Sequence, residues 1–229
     1  MMGRVNPVEA VLEATTRYLS ALEGLTDEQL RDPSLLPGWS RGHVAAHLAL
    51  NAHGFARALR GARTGDPVPI YDSQEARDAE VEERSSGSVE ELAAFNQMAS
   101  LRLAGELRLM KALVTIERTP GGHVFDAAKV VEIRWKEVEI HHADLGIGYG
   151  PADWPLPFAA LLLESAAADR GRELGITLHA RDIDKTVLVG QGGHGVAGPA
   201  GDLAWWLVGR GASDSLTSTR PLPELGAWK

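Results

Sequence analysis

The chain has 229 residues, 44% hydrophobic and 24% charged, the composition of an ordinary globular protein long enough to bury one large core or two small ones. With 31 acidic against 23 basic residues the net charge is -8, which opposes wrapping nucleic acid or docking on an anionic membrane and leaves small ligands open. There is no cysteine, so disulfides, cysteine-based zinc sites and a protein thiol nucleophile are excluded, and any thiol chemistry must use a thiol brought in from outside.

Asn6 and Pro7 read as an N-cap followed by proline at the first helical position, and the spacing of Val8, Val11, Leu12, Leu19 and Leu22 predicts a first helix ending near Gly24. The opening MMGRVNPVEAVLEATTRYL has no signal-peptide core, and no apolar run approaches the roughly 20 residues of a membrane span, so the expected location is cytoplasmic. Asp32, Pro33, Pro37 and Gly38 mark a loop, after which Ser40 caps a second helix over RGHVAAHLALNAHGFARALRG. A loop with Gly65, Pro67 and Pro69 then leads to a short charged helix opened by Ser73. Ser88 and Glu91 have the spacing of a capping box, and Leu92, Phe95, Met98, Leu101, Leu103, Leu107 and Leu113 predict a long third helix stopped by Thr119, Pro120, Gly121 and Gly122. A fourth helix is expected from about Asp126 until Gly146, Gly148 and Gly150 break it. Four such helices fit a bundle.

The second half changes character. A helix over PFAALLLESAAADRGREL precedes two β-like runs, ITLHA and KTVLVG, at hairpin spacing. The glycine-rich QGGHGVAGPAG is expected to be a turn, and the short helix DLAWWLVGR is expected to pack through Trp205, Trp206 and Leu207. The glycine- and proline-rich GIGYGPADWP sets the boundary: residues 1–150 as a helical bundle, residues 151–229 as a smaller α+β domain. The fold class expected is therefore mainly α.

The stretch RWKEVEIHHADLG places Arg134, Glu137, His141 and Asp144 on one helix face at offsets of three, four and three. Glu137 and His141, four apart, bring their heads to one point. On the second helix Val44, His47, Leu48, Asn51 and Phe55 share a face, so His47 points inward while His43 and His53 lie around the cylinder. Two histidines and a carboxylate from facing helices make a three-ligand divalent metal site with open positions, the arrangement that suits catalysis. The same residues also read as a core histidine bonded to a carbonyl beside an i,i+4 ion pair.

His142 lies about 100° around the helix from His141 and is expected at the surface. His123 and His179 have no partner at metal spacing, and His194 sits in a segment lacking both the GxGxxG form and the Walker lysine. No GxSxG elbow is present. Arg77 and Arg210 are the remaining candidates, read either as ligand contacts or as a surface ion pair and a helix C-terminal charge.

Four segments, LPGWSRGHVAAHLALNA, PIYDSQEARDAEVE, KEVEIHHADLG and PAGDLAWWLVGRGASD, together resemble in order and spacing the mycothiol-dependent maleylpyruvate isomerase family. The resemblance implies a DinB-like four-helix bundle holding a divalent metal, usually zinc, followed by an α+β domain. It puts the metal ligands on His47, Glu137 and His141, substrate-binding arginines on Arg77 and Arg210 with Arg210 also catalytic, and supporting residues on Asn51 and Asp144. Arg134 matches as well, and as a plain alternative would pair with a neighbouring acid. The sequence departs from the family at Glu139, where a bulky apolar residue is common, and in the doubled His141 and His142.

The activity implied is addition of mycothiol to the cis double bond of maleylpyruvate, rotation, and elimination to fumarylpyruvate. A mycothiol S-transferase that conjugates electrophiles needs the same metal and thiol sites, and a zinc-dependent binding or regulatory module needs only the metal. A non-haem iron oxygenase fits two histidines and a carboxylate, but its ligands typically sit on β-rich scaffolds. The partners expected are a small-molecule substrate and mycothiol, without nucleic acid or membrane, in a monomer or small homo-oligomer.

Overall fold

The computed structural model describes residues 6–110 and 114–228, and the chain divides into two compact units, Met1–Gly146 and Ile147–Lys229.

In the first unit, helix α1 (Pro7–Glu23) opens as its sequence dictates, with Asn6 Oδ1 accepting the Val8 N–H at 3.1 Å and Pro7 in the first turn. A five-residue helix, α2 (Asp27–Arg31), was not expected; it is too short for periodicity to show and is held by the reciprocal cap of Thr26 and Gln29. Helix α3 (Arg41–Thr64) starts from Ser40, α4 (Gln74–Ser85) from Ser73, and α5 (Val89–Leu109) from the Ser88 and Glu91 capping box. Helix α6 (Lys129–Asp144) completes the set. Helix α3 packs on α4, α5 and α6, and α1 packs on α5 and α6. Their shared core includes Leu22, Val44, Leu48, Val130 and Val138, all fully buried, each contributing about 1.5–3 kcal/mol by leaving water.

The third long helix is shorter than predicted. Helix α5 stops at Leu109, and strand β1 (Thr115–Glu117) pairs antiparallel with β2 (Val124–Asp126), Ile116 opposite Phe125. The β-branched and aromatic residues on either side of the Pro120 and Gly121 turn form this hairpin, a signal hidden by the leucine periodicity before it. Pairing of Val124–Asp126 in β2 also delays the fourth helix to Lys129. The predicted position Leu113 lies outside the described residues. Met98 and Leu101 are exposed at 43% and 68%; the inward stripe of α5 is Leu92, Asn96, Ala99, Leu103 and Leu107.

One close approach positions the loop after α3. A Cβ at Gly54 would lie 2.7 Å from both Cγ2 and the carbonyl oxygen of Ile70, so only glycine lets Ile70, and Tyr71 after it, lie directly on the helix.

The second unit holds a four-stranded sheet in the order β4, β3, β5, β6, formed by β3 (Ile176–Ala180), β4 (Lys185–Val189), β5 (His194–Gly198) and β6 (Thr217–Ser218). Strands β3 and β4 form the predicted hairpin, whereas β5 runs parallel to β3 with Val196 opposite Leu178. The middle of the glycine-rich segment expected as a turn is therefore a strand. Its glycines serve close approach, since a Cβ at Gly193 would lie 2.1 Å from the Gly175 carbonyl oxygen. Helix α7 (Leu156–Arg170) packs on α8 (Ala200–Leu207) and on β4, and α8 also meets β3 and β5. Trp206 is buried there with Nε1 donating to the Pro223 carbonyl at 3.1 Å, and Trp205 meets Trp154 edge-on at 5.8 Å. Among the described residues no helix is long and apolar enough to cross a membrane.

Candidate metal centre

The site lies where α3 faces α6. His47, 6% exposed, directs Nε2 to Glu137 Oε2 at 2.8 Å, and His141 Nε2 stands 3.5 Å from the same oxygen. One ligand atom from each of the three lies within 4.8 Å of the others. Asp144, fully buried, accepts the His141 Nδ1–H at 2.8 Å and so turns Nε2 toward Glu137. Arg77 Nη2 donates to His47 Nδ1 at 2.5 Å while its Nη1 donates to Asp78 at 2.6 Å. With Nδ1 accepting, the neutral His47 ring carries its proton on Nε2, toward Glu137. The Trp39 ring stands 5.7 Å from the His47 ring and has the Arg77 guanidinium over it at 5.7 Å.

Burial pushes His47 down to about 4, against the pull of Glu137. Burial also opposes charge on His141, but hydrogen bonds to Asp144 and Glu137 outweigh it and lift that ring to about 9. At Glu137 burial raises the pKa, and the two histidines more than reverse this, holding the carboxyl well below its ordinary value. At neutral pH the cluster is thus a carboxylate, an imidazolium and a neutral imidazole. The positive charge that the half-buried carboxylate needs is carried by a proton on His141. Two imidazole nitrogens and a carboxylate oxygen are a donor set suited to a divalent ion of the zinc type, and such an ion would take the place of that proton.

Arg134, 1% exposed, makes no ion pair among the described residues, contrary to the simple reading of its sequence, although the Glu137 charge favours its charged form: Nη1 donates to the Leu48 carbonyl at 3.0 Å and to Asn51 Oδ1 at 2.7 Å. Asn51 is thereby tied to α6 from α3. Glu139, fully buried, accepts from Arg17 Nη2 at 2.7 Å and from Trp135 Nε1 at 3.3 Å, which accounts for a charge where an apolar residue was expected. His142 is not at the surface. It is 3% exposed and meets Tyr18 edge-on at 5.9 Å, because α6 is covered by α1 on that side as well as by α3. Arg210 belongs to the second unit, where Nη1 donates to the Val208 carbonyl at 3.1 Å.

A cavity of about 180 Å³ opens beside the cluster, with His47, Glu137, Asn51, Tyr71, Arg118 and Lys129 in its wall. Trp39 and Tyr71 were not singled out from the sequence, although both fall in segments that carry the resemblance. The only local cue was an aromatic residue in a proline-bounded loop next to a polar helix start.

The profile of the mycothiol maleylpyruvate isomerase N-terminal domain matches residues 11–146. Two solved structures, a crystal structure of the mycothiol-dependent maleylpyruvate isomerase and one of its histidine-to-alanine mutant, each share a TM-score of 0.85 with the chain. Their identities are 26% and 25%, over 97% of this chain and 95% of each neighbour. No curated protein matches the chain. With a helical bundle, a smaller α+β unit and this site in one chain, and with residues 11–146 matched by the family's own domain, the protein belongs to the mycothiol-dependent maleylpyruvate isomerase family and shares its DinB-like fold.

Proposed function

We propose that the protein is an enzyme catalysing mycothiol-dependent cis-to-trans isomerisation of the maleylpyruvate to fumarylpyruvate type, with His47, Glu137 and His141 holding a divalent metal, zinc in the first instance. The observation that carries this reading is the convergence of those three side chains, with His47 and Glu137 in the cavity wall, in a chain with no thiol of its own. A divalent ion in that position supplies the charge that keeps a thiol deprotonated at neutral pH. Glu137 is already ionised and His47 already neutral, so one proton net, that of His141, has to leave for the ion to enter, while the His47 proton passes from Nε2 to Nδ1 and Arg77 gives up its hydrogen bond there. Asp144 then keeps His141 Nε2 directed at the site.

In this reading the cis double bond of the substrate becomes single as the sulfur adds, rotates, and re-forms as trans when the sulfur leaves. Negative charge builds on the conjugated ketone and carboxylate meanwhile. Arg77 and Arg210 are assigned to those groups, since a guanidinium fork holds a carboxylate through two parallel hydrogen bonds. The division into a metal-binding bundle, residues 1–150, and an α+β domain, residues 151–229, belongs to the same proposal.

The test is incubation with mycothiol and maleylpyruvate while the trans product is followed. Product that requires mycothiol supports the isomerase, and a stable thioether supports the S-transferase instead. Arg210→Lys is expected to keep its metal and lose most turnover, the ammonium lacking the fork. Normal turnover in a folded, metal-loaded Arg210→Ala would remove Arg210 from the assignment.

A further inference from the structure

Arg134 is a buried cation that the scheme above does not use. Among the described residues it has no ion-pair partner; Nη1 is held by two neutral acceptors, and the buried Nη2 makes no hydrogen bond. A guanidinium is a costly group to place there for packing alone. What it does locally is fix an amide. By donating to Asn51 Oδ1 at 2.7 Å it turns the amide oxygen toward itself, leaving Asn51 Nδ2, which can only donate, for the other side. There Asn51 shares the cavity wall with Tyr71, and its amide lowers the phenol pKa as a neighbouring donor does. An amide N–H offered to the phenol oxygen leaves the phenol's own proton to be donated elsewhere.

Tyr71 lines the same cavity of about 180 Å³ as His47 and Glu137. Its position is set by the backbone: Tyr71 N–H donates to the Arg118 carbonyl at 2.9 Å, and Ile70 N–H to that of Glu117 at 2.9 Å. The Arg118 guanidinium stands over its ring at 5.9 Å. Burial and the Glu137 charge push the phenol up, so it keeps its proton at neutral pH.

We propose that Tyr71 donates a hydrogen bond to the substrate oxygen on which negative charge develops, and that Arg134 and Asn51 are positioning residues that keep the Tyr71 hydroxyl aimed into the cavity. The proposal rests on the isomerase reading, and it specifies the substrate class as an alkene conjugated to a carbonyl. As the carbon–sulfur bond forms, the alkene electron pair moves onto that carbonyl oxygen as an enolate. The Tyr71 O–H strengthens its bond to this oxygen without giving up the proton. On elimination the pair returns to re-form the double bond, and the sulfur departs with the electrons of its own bond. Nothing is oxidised or reduced.

The experiment uses full-length, zinc-loaded protein and the variants Tyr71→Phe, Asn51→Asp and the pair combined. Tyr71→Phe is expected to lower kcat about 100-fold, the loss typical of one oxyanion donor, with KM for both substrates and metal content little changed. Asn51→Asp replaces the amide donor by a pure acceptor while still receiving Arg134, so the Tyr71 hydroxyl turns back to it. Its kcat should fall comparably although Tyr71 is intact. The double variant should be no worse than Tyr71→Phe, because both changes remove one interaction. A kcat for Tyr71→Phe within a few-fold of wild type, or losses that multiply in the double variant, would overturn the proposal. Calorimetric binding of oxamate, a planar pyruvate isostere with a partly negative amide oxygen, gives an arm independent of turnover. Tyr71→Phe should weaken it about tenfold. If wild type does not isomerise maleylpyruvate, the isomerase reading fails, and unchanged oxamate binding would then separately overturn the role of Tyr71.

Discussion

Metal binding at the His47, Glu137 and His141 cluster should release one proton at neutral pH. His141 is lifted to about 9 and His47 is pushed down to about 4, so between pH 6 and 8 only His141 carries a proton that a metal must displace. Apparent affinity should therefore rise about tenfold per pH unit across this window. At pH 7 it should lie about 100-fold below its limit at high pH, a difference of ~2.7 kcal/mol. Competition against a chromophoric chelator of known proton dependence gives the slope. Calorimetry in two buffers of different ionisation heat counts the protons directly. Asp144→Asn should lower the His141 pKa and flatten the slope near pH 8, while costing about 10–100-fold in limiting affinity through loss of ring orientation. Affinity independent of pH from 6 to 8 with no proton released, or release of two, would refute the charge state assigned to the cluster.

The metal-free protein should be most stable near pH 6.5. His141, raised to about 9 on folding, contributes stability that is full below its unfolded pKa and is lost as pH rises through 9, by up to ~3 kcal/mol. His47, depressed to about 4, contributes stability that is lost as pH falls from 6.5 through 4; denaturant titrations across pH give both limbs, and a flat alkaline limb contradicts the first. Gly54→Ala should push Ile70 off α3, costing about 1–3 kcal/mol in unfolding free energy and disturbing Tyr71; unchanged stability would mean that the loop yields freely. Arg17→Ala removes the guanidinium that faces the buried Glu139 carboxylate and should cost about 2 kcal/mol, the modest end for a broken buried pair because Arg17 is itself 37% exposed; chemical denaturation measures it, and a loss near zero would show Glu139 satisfied without Arg17.

The cluster was legible in the sequence because helical spacing is a strong geometric rule. An offset of four superposes Glu137 and His141, and the apolar neighbours of His47 declare its direction. Capping residues located the starts of α1, α3, α4 and α5 for an equally local reason. What could not be read depended on partners distant in the chain. The β1–β2 hairpin competes with a helical leucine pattern and is settled by pairing, and β5 is a strand only because β3 lies beside it. His142 and Glu139 looked like surface or misfit residues on a single helix. They are buried because α1 supplies Tyr18 and Arg17. Tyr71 reaches the cavity only because Gly54 admits its loop.

The measurement that tests the central claim most directly is metal content and mycothiol-dependent isomerisation of maleylpyruvate, determined together on wild type and His47→Ala. Wild type should carry about one divalent ion per chain, as a single three-ligand site demands. It should turn over only with mycothiol, lose activity when stripped and regain it on reloading. His47→Ala should remain folded and lose metal and turnover together. A His47→Ala protein that retains both its metal and its mycothiol-dependent rate would contradict the account, placing the metal and its chemistry at other residues.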